Sequence, residues 1–144
     1  CLPLVKFEKD RAALRAAGTE PGQSRFFAGT DSAPHTTKAT DCGCAAGCYT
    51  GGCAPQLYAM AFEEAGADLA SEAGAQAFQR FLCDNGPRFY DLPASEETFT
   101  LVREPSSPAV RHTVEGTVTP LPTGMNLPLT WSIQGQEAGP YAPA

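Results

Sequence analysis

The sequence predicts an α/β fold followed by a short strand-rich C-terminal extension, and three observations carry that reading. A short apolar run, an amphipathic stretch and a second short apolar run succeed one another within residues 1–29, the order of an α/β unit. Two further stretches, 53–66 and 72–86, keep apolar residues at helical spacing, as core-facing helices do. After Ser95 the apolar residues instead alternate with polar ones, the period of half-exposed strands.

Taken in order, CLPLV is too short for a helix and suits a buried strand end. KFEKDRAALRAAG places Phe7, Ala12 and Leu14 among charges and closes on Gly18, an amphipathic helix with a glycine stop. EPGQS reads as a turn, and in RFFAGTD the residues Phe26 to Gly29 read as a buried strand ending in a polar cluster. From Ser32 to Gly52 no period holds. A connection of that length within a compact domain is usually functional. CAPQLYAMAFEEAG resumes the helical period with Leu57, Met60 and Ala61 on one face. EAGAQAFQRFLCDNG follows with Phe78, Phe81 and Leu82 at core spacing and Asn85-Gly86 as the expected stop. PRFYDLP reads as a short helical turn with Phe89 and Tyr90 packed inward. ETFTLVRE, HTVEGTVTP and LPLTWSIQG read as strands, PSSPAVR and PLPTGMN as turns, and EAGPYAPA as a frayed tail.

The bulk numbers narrow the function. At 144 residues, 42% hydrophobic and 18% charged, the chain has the size and composition of one ordinary globular domain. A net charge of −6 lacks the basic face that nucleic acid or an anionic membrane demands. No apolar run approaches the roughly 20 residues of a spanning helix. The chain opens at Cys1 inside an apolar run, which reads as the back end of something longer. The six cysteines do not form the pattern of a disulfide framework, because Cys42 and Cys44 flank a single glycine. Free thiols in a reducing compartment are expected, with Cys83 as a buried thiol acting as a small hydrophobe.

The chemistry gathers in GTDSAPHTTKATDCGCAAGC, residues 29–48. Asp31 stands where the expected strand runs out, and the carboxyl ends of strands are where α/β proteins build active sites. An acid there can ligate a metal and move a proton, or simply cap the strand by accepting loop amides. His35 can ligand a metal or donate to an anionic substrate, or stand exposed and idle, as His112 is expected to. A structural zinc site normally uses two close cysteine pairs separated by a longer span. Cys42, Cys44, Cys48 and Cys53 leave gaps of one, three and four residues with no such span. The glycines at 43, 47, 51 and 52 instead suit backbone amides that approach a ligand closely.

Together CLPLVK…ALR, FAGTDSAPH, CGCAAGCY, FEE, NGPRFYDLP and TWSI resemble the C-terminal part of the dihydroorotases of bacterial and plant type, members of the amidohydrolase superfamily. The resemblance covers nearly the whole chain and is weakest from about 105 to 127 and in the tail. It implies a (β/α)8 TIM-type barrel of about 250 residues, of which this chain would hold an incomplete C-terminal portion. Residues 1–95 would belong to the barrel, 96–136 to the strand-rich extension and 137–144 to a flexible tail.

The activity implied is zinc-dependent, reversible interconversion of L-dihydroorotate and N-carbamoyl-L-aspartate in pyrimidine biosynthesis. By motif, Asp31 matches a ligand of the family's binuclear zinc centre that is also its catalytic base. His35 matches a residue bonding the substrate carboxylate. Ala45 matches a position touching that carboxylate through its backbone, and the doubled alanine of CGCAAGC leaves Ala46 as its alternative. Leu2 matches a position whose backbone meets the ring amide. The family's HxH metal ligands, carboxylated lysine and two further histidines all precede the matched segment and have no counterpart in these 144 residues. The implied partners are the small-molecule substrate and a second copy in a homodimer, with no nucleic acid and no membrane. The implied location is the cytoplasm, or a plastid or mitochondrion in a plant or alga. The isolated chain is expected to be inactive. The alternative is a non-catalytic, dihydroorotase-derived structural subunit of a larger assembly.

Overall fold

The computed structural model describes residues 7–37, 39–40 and 43–135. The expected strand end CLPLV, the tail from 137 onward, Leu2 and Cys42 therefore lie outside the described residues. Two compact units divide the rest: residues 30–56 with 100–135, and residues 7–29 with 57–99.

In the second of these units, α1 runs Glu8–Thr19. The amide of Phe7 donates to Asp10 Oδ2 at 3.2 Å, which satisfies an end group that no helical carbonyl can reach. Arg11 pairs with Glu8 at 2.7 Å and Arg15 with Glu64. No residue of α1 is fully buried, and Phe7 and Leu14 are mostly exposed, so its apolar side is not covered as its pattern predicts.

α2 spans Ala54–Glu64 and α3 spans Glu72–Gln79. Ala59 and Phe62 are the buried residues of α2 within this unit, whereas Leu57, Met60 and Ala61 are only half-buried. The buried stripe is therefore turned from the expected one. Phe62 meets Phe78 edge-on at 5.1 Å between ring centres and Phe81 at 5.3 Å. Such pairs add about 0.5–1.5 kcal/mol beyond the area they bury. Ser71 caps α3, accepting from the Gly74 amide at 3.1 Å while its hydroxyl donates to Asp68 O at 2.7 Å.

The helix does not stop at Asn85-Gly86. It widens into a π-helical turn, Arg80–Asp84, and continues as α4, Asn85–Tyr90. The stop comes at Asp91, which takes the left-handed conformation at φ 53°. Asn85 is nearly fully buried and its Nδ2 donates to Gln23 O and Phe26 O at 3.3 and 3.0 Å. A side chain with these tertiary partners keeps its place inside a helix rather than ending it.

Three further expectations are corrected here. Phe26 to Gly29 forms no strand among the described residues: the Phe26 amide donates to Gln23 Oε1 at 2.8 Å, the Ala28 amide to Phe81 O at 3.0 Å, and Gly29 O accepts from the Tyr58 hydroxyl at 3.0 Å. A ladder needs a neighbouring strand to take its alternate amides and carbonyls. Phe89 and Tyr90 are 69% and 62% exposed rather than packed inward. Their rings meet Phe27 tilted and edge-on, at 5.4 and 5.8 Å between ring centres. Cys83 is exposed rather than buried.

In the unit formed by 30–56 and 100–135, the strands are short and every pair is antiparallel. β1, Ala39–Thr40, pairs with β2, Gly43–Cys44. β3, Leu101–Val102, pairs with β6, Ser132–Ile133, and Leu129 bridges Ser106 nearby. β4, Arg111–Thr113, and β5, Gly116–Val118, form a hairpin, so HTVEGTVTP holds a turn where one strand was expected. PLPTGMN contains the short helix α5, Leu121–Gly124, rather than a simple turn. Proline at its first turns removes amides that would have no partner there. Leu129, Val118, Pro120, Pro122, Cys53 and Ala54 are buried in this unit. The observed fold is thus mixed α/β, and no closed barrel forms among the described residues.

Candidate functional site

The non-periodic segment predicted to carry function folds back on itself. Asp31 is exposed and has a positive φ of 40°, a region that costs most residues energy and that aspartate tolerates better than most. The next two residues are fastened. Ser32 Oγ accepts from the amides of Thr50 and Gly51 at 3.1 and 2.8 Å. The Ala33 amide donates to Cys48 O at 2.9 Å.

Two glycines make this approach possible. Gly47 sits at φ +79°, and a β-carbon on it would come within 2.6 Å of Ala33 Cβ. A β-carbon on Gly51 would lie 3.2 Å from Ser32 Oγ. Gly47 and Gly51 were expected to bring amides close to a ligand. In the fold they bring one stretch of chain close to another, and the Gly51 amide is used by Ser32.

The same unit buttresses both sides of the loop. The Leu121 amide, at the start of α5, donates to Tyr49 O at 2.9 Å. Gly116, at φ +136° in the β4–β5 hairpin, faces Thr36, the neighbour of His35, at a distance that would put a β-carbon 3.3 Å from Thr36 Cβ. His35 itself is exposed, and Ala45 and Ala46 are half-buried. The structure therefore brings the Asp31–Ala33 stretch against residues 47–51, two positions beyond Ala45. Leu2 lies outside the described residues. His112 is exposed on β4, with Nδ1 3.2 Å from Thr117 Oγ1.

Sequence reasoning did not anticipate that Ser32 and Ala33 fasten this loop to residues 48–51. Both stand in GTDSAPH, and the only local signal is a hydroxyl and a small side chain directly after the acid, opposite a glycine-rich stretch.

The cysteines divide by environment. Cys53 is buried and free, and burial pushes its thiol pKa up. Cys48 and Cys83 are exposed and free. Although Cys83 is open to solvent as a residue, surrounding protein pushes its thiol up, and the Asp84 charge adds to this. Among the described residues no group of three or more His, Cys, Asp or Glu could hold a metal ion. The residues present thus do not by themselves fit a binuclear zinc centre. No helix among them is long and apolar enough to cross a membrane.

No protein-family model matches the chain. Curated relatives do. Dihydroorotase of Halorhodospira halophila is 48% identical over 132 residues, and that of Pseudomonas fluorescens is 45% identical over 130. Each alignment takes 88% of this chain and 35% of the relative. The crystal structure of dihydroorotase from Campylobacter jejuni superposes with a TM-score of 0.69 at 26% identity, across 93% of this chain and 36% of that one. This chain therefore spans about a third of the length of the relatives it matches. Over that span, the chain is homologous to the dihydroorotases.

Proposed function

We propose that the chain is the C-terminal part of a dihydroorotase and contributes one wall of its active site. The observation that carries this reading is identity of 45–48% to enzymes of that name, in a chain whose GTDSAPH stretch is bonded, directly after Asp31, to Cys48, Thr50 and Gly51. On this reading residues 1–95 complete a (β/α)8 barrel, 96–136 form its extension and 137–144 its tail.

Asp31 accepts the proton released as the ring amide is attacked and returns it to the departing amide nitrogen. Its exposure leaves the carboxylate accessible. His35 donates to the substrate carboxylate, and the backbone at Ala45 and Leu2 meets the carboxylate and the ring amide. The zinc that dihydroorotase chemistry uses would draw all its ligands but Asp31 from outside the described residues, because those residues assemble no metal-holding group. The complete enzyme would work as a cytoplasmic homodimer, and this segment alone would be inactive.

The same similarity is shared by a second reading, a non-catalytic subunit descended from dihydroorotase. An assay of the complete encoded chain separates the two. Interconversion of dihydroorotate and N-carbamoyl-L-aspartate in both directions, with His35→Ala raising KM more than it lowers kcat, is the result expected of the enzyme. A folded complete chain that turns over neither compound would overturn the enzymatic reading.

A further inference from the structure

Ser32 has a bonding pattern that its place in the sequence does not explain. A serine at the start of a loop commonly satisfies amides two or three residues away. Here the hydroxyl reaches across 18 and 19 residues, to the amides of Thr50 and Gly51 at 3.1 and 2.8 Å. The Ala33 amide to Cys48 O bond, at 2.9 Å, lies one residue after Ser32 and two residues before Thr50. Ala33 also packs against Gly47, where no β-carbon fits. All four contacts join the two residues after Asp31 to residues 47–51, which begin one residue after Ala46. The positive φ of Asp31 is thus held by a fastening that starts at the very next residue.

We propose that Ser32 is a positioning residue: its hydroxyl clamps the loop 47–51 onto the Asp31 segment, so that the Asp31 carboxylate and the Ala45 backbone keep one fixed relation. This rests on the reading of Asp31 and Ala45 as site residues. The clamp touches no substrate and acts through its two neighbours. Because it holds an acid that moves a proton and a backbone that binds a carboxylate, its loss lowers kcat and raises KM together. A misplacement of about an ångström at such groups costs on the order of a hundredfold in rate. Thr50 is half-buried and Gly51 exposed, so water can satisfy both amides when the hydroxyl is removed. The fold should therefore survive the substitution.

The test uses the complete encoded chain, with Ser32→Ala, Ser32→Thr and Asp31→Ala compared for kcat, KM and thermal midpoint. Ser32→Ala is expected to lose about tenfold or more in kcat/KM, through both constants, with an unchanged midpoint. Ser32→Thr, which keeps the hydroxyl, is expected to restore most of it. Wild-type kinetics in Ser32→Ala beside an inactive Asp31→Ala would overturn the clamp and leave the site reading standing. An Asp31→Ala as active as wild type would overturn the site reading, and the clamp with it. Should Ser32→Ala fail to fold, Ser32→Cys decides, since sulfur fills the space but accepts hydrogen bonds weakly. A clear loss of kcat/KM at an unchanged midpoint supports the clamp, and wild-type kinetics overturn it.

Discussion

The methyl group of Ala33 rests against the α-carbon of Gly47, so closely that a β-carbon on Gly47 would stand 2.6 Å away. Gly47 also holds φ +79°, a conformation open to glycine and costly to other residues. Gly47→Ala therefore meets a steric and a backbone penalty at once. It is expected to destabilise the fold by about 2 kcal/mol or more, read as a lower urea midpoint with an unchanged slope. A midpoint equal to wild type would show that the two stretches do not pack as described.

Gly74 poses a harder constraint in the other unit. A β-carbon there would stand 1.9 Å from Asp68 O, a backbone atom that cannot swing aside. Gly74→Ala is expected to break the Ser71 cap and cost about 3 kcal/mol. Replacement of the neighbouring exposed Ala75 by serine should shift the unfolding midpoint far less. Equal effects at the two positions would contradict the close approach.

Asn85 bonds two carbonyls of the 23–26 turn from a nearly fully buried position. Asn85→Ala removes the donor to Gln23 O, leaves Phe26 O with Gln23 Nε2 alone and opens a small cavity, for an expected loss of about 2 kcal/mol. Urea unfolding measures it. A loss within about 0.5 kcal/mol, the range of surface substitutions, would mean that the side chain does not anchor the turn.

The thiols give a pH-dependent readout. Burial raises the pKa of Cys53, so the folded state favours the neutral thiol. Its contribution to stability is therefore fully present below the thiol's unfolded pKa and is lost as pH rises through the higher folded value. Among Cys48, Cys53 and Cys83, mass-spectrometric alkylation near pH 8 should label exposed Cys48 first. Cys83 should follow, held back by its raised pKa, and Cys53 should react only on unfolding. Early labelling of Cys53 would contradict its burial.

Much of the helical half was legible because a 3.6-residue period survives in any context. KFEKDRAALRAAG, CAPQLYAMAFEEAG and EAGAQAFQRF each hold a helix at nearly the expected place. What failed depends on neighbours. Phe26–Gly29 has strand composition but no flanking strand among the described residues, and composition alone does not supply a ladder partner. Asn85-Gly86 looks like a stop until Asn85 finds Gln23 and Phe26, about sixty positions away. In the same way Asp31 and His35 could be singled out by residue type and motif. Ser32 could not, because its hydroxyl's partners, the amides of Thr50 and Gly51, stand across the loop.

On the proposed function, Asp31 is the working acid of a dihydroorotase to which this chain contributes. The most direct measurement is kcat/KM for dihydroorotate hydrolysis by the complete encoded chain, wild type against Asp31→Ala, with folding of both confirmed by circular dichroism. The expected result is measurable turnover in wild type and none above background in Asp31→Ala. Equal kcat/KM in the two proteins would contradict the assignment.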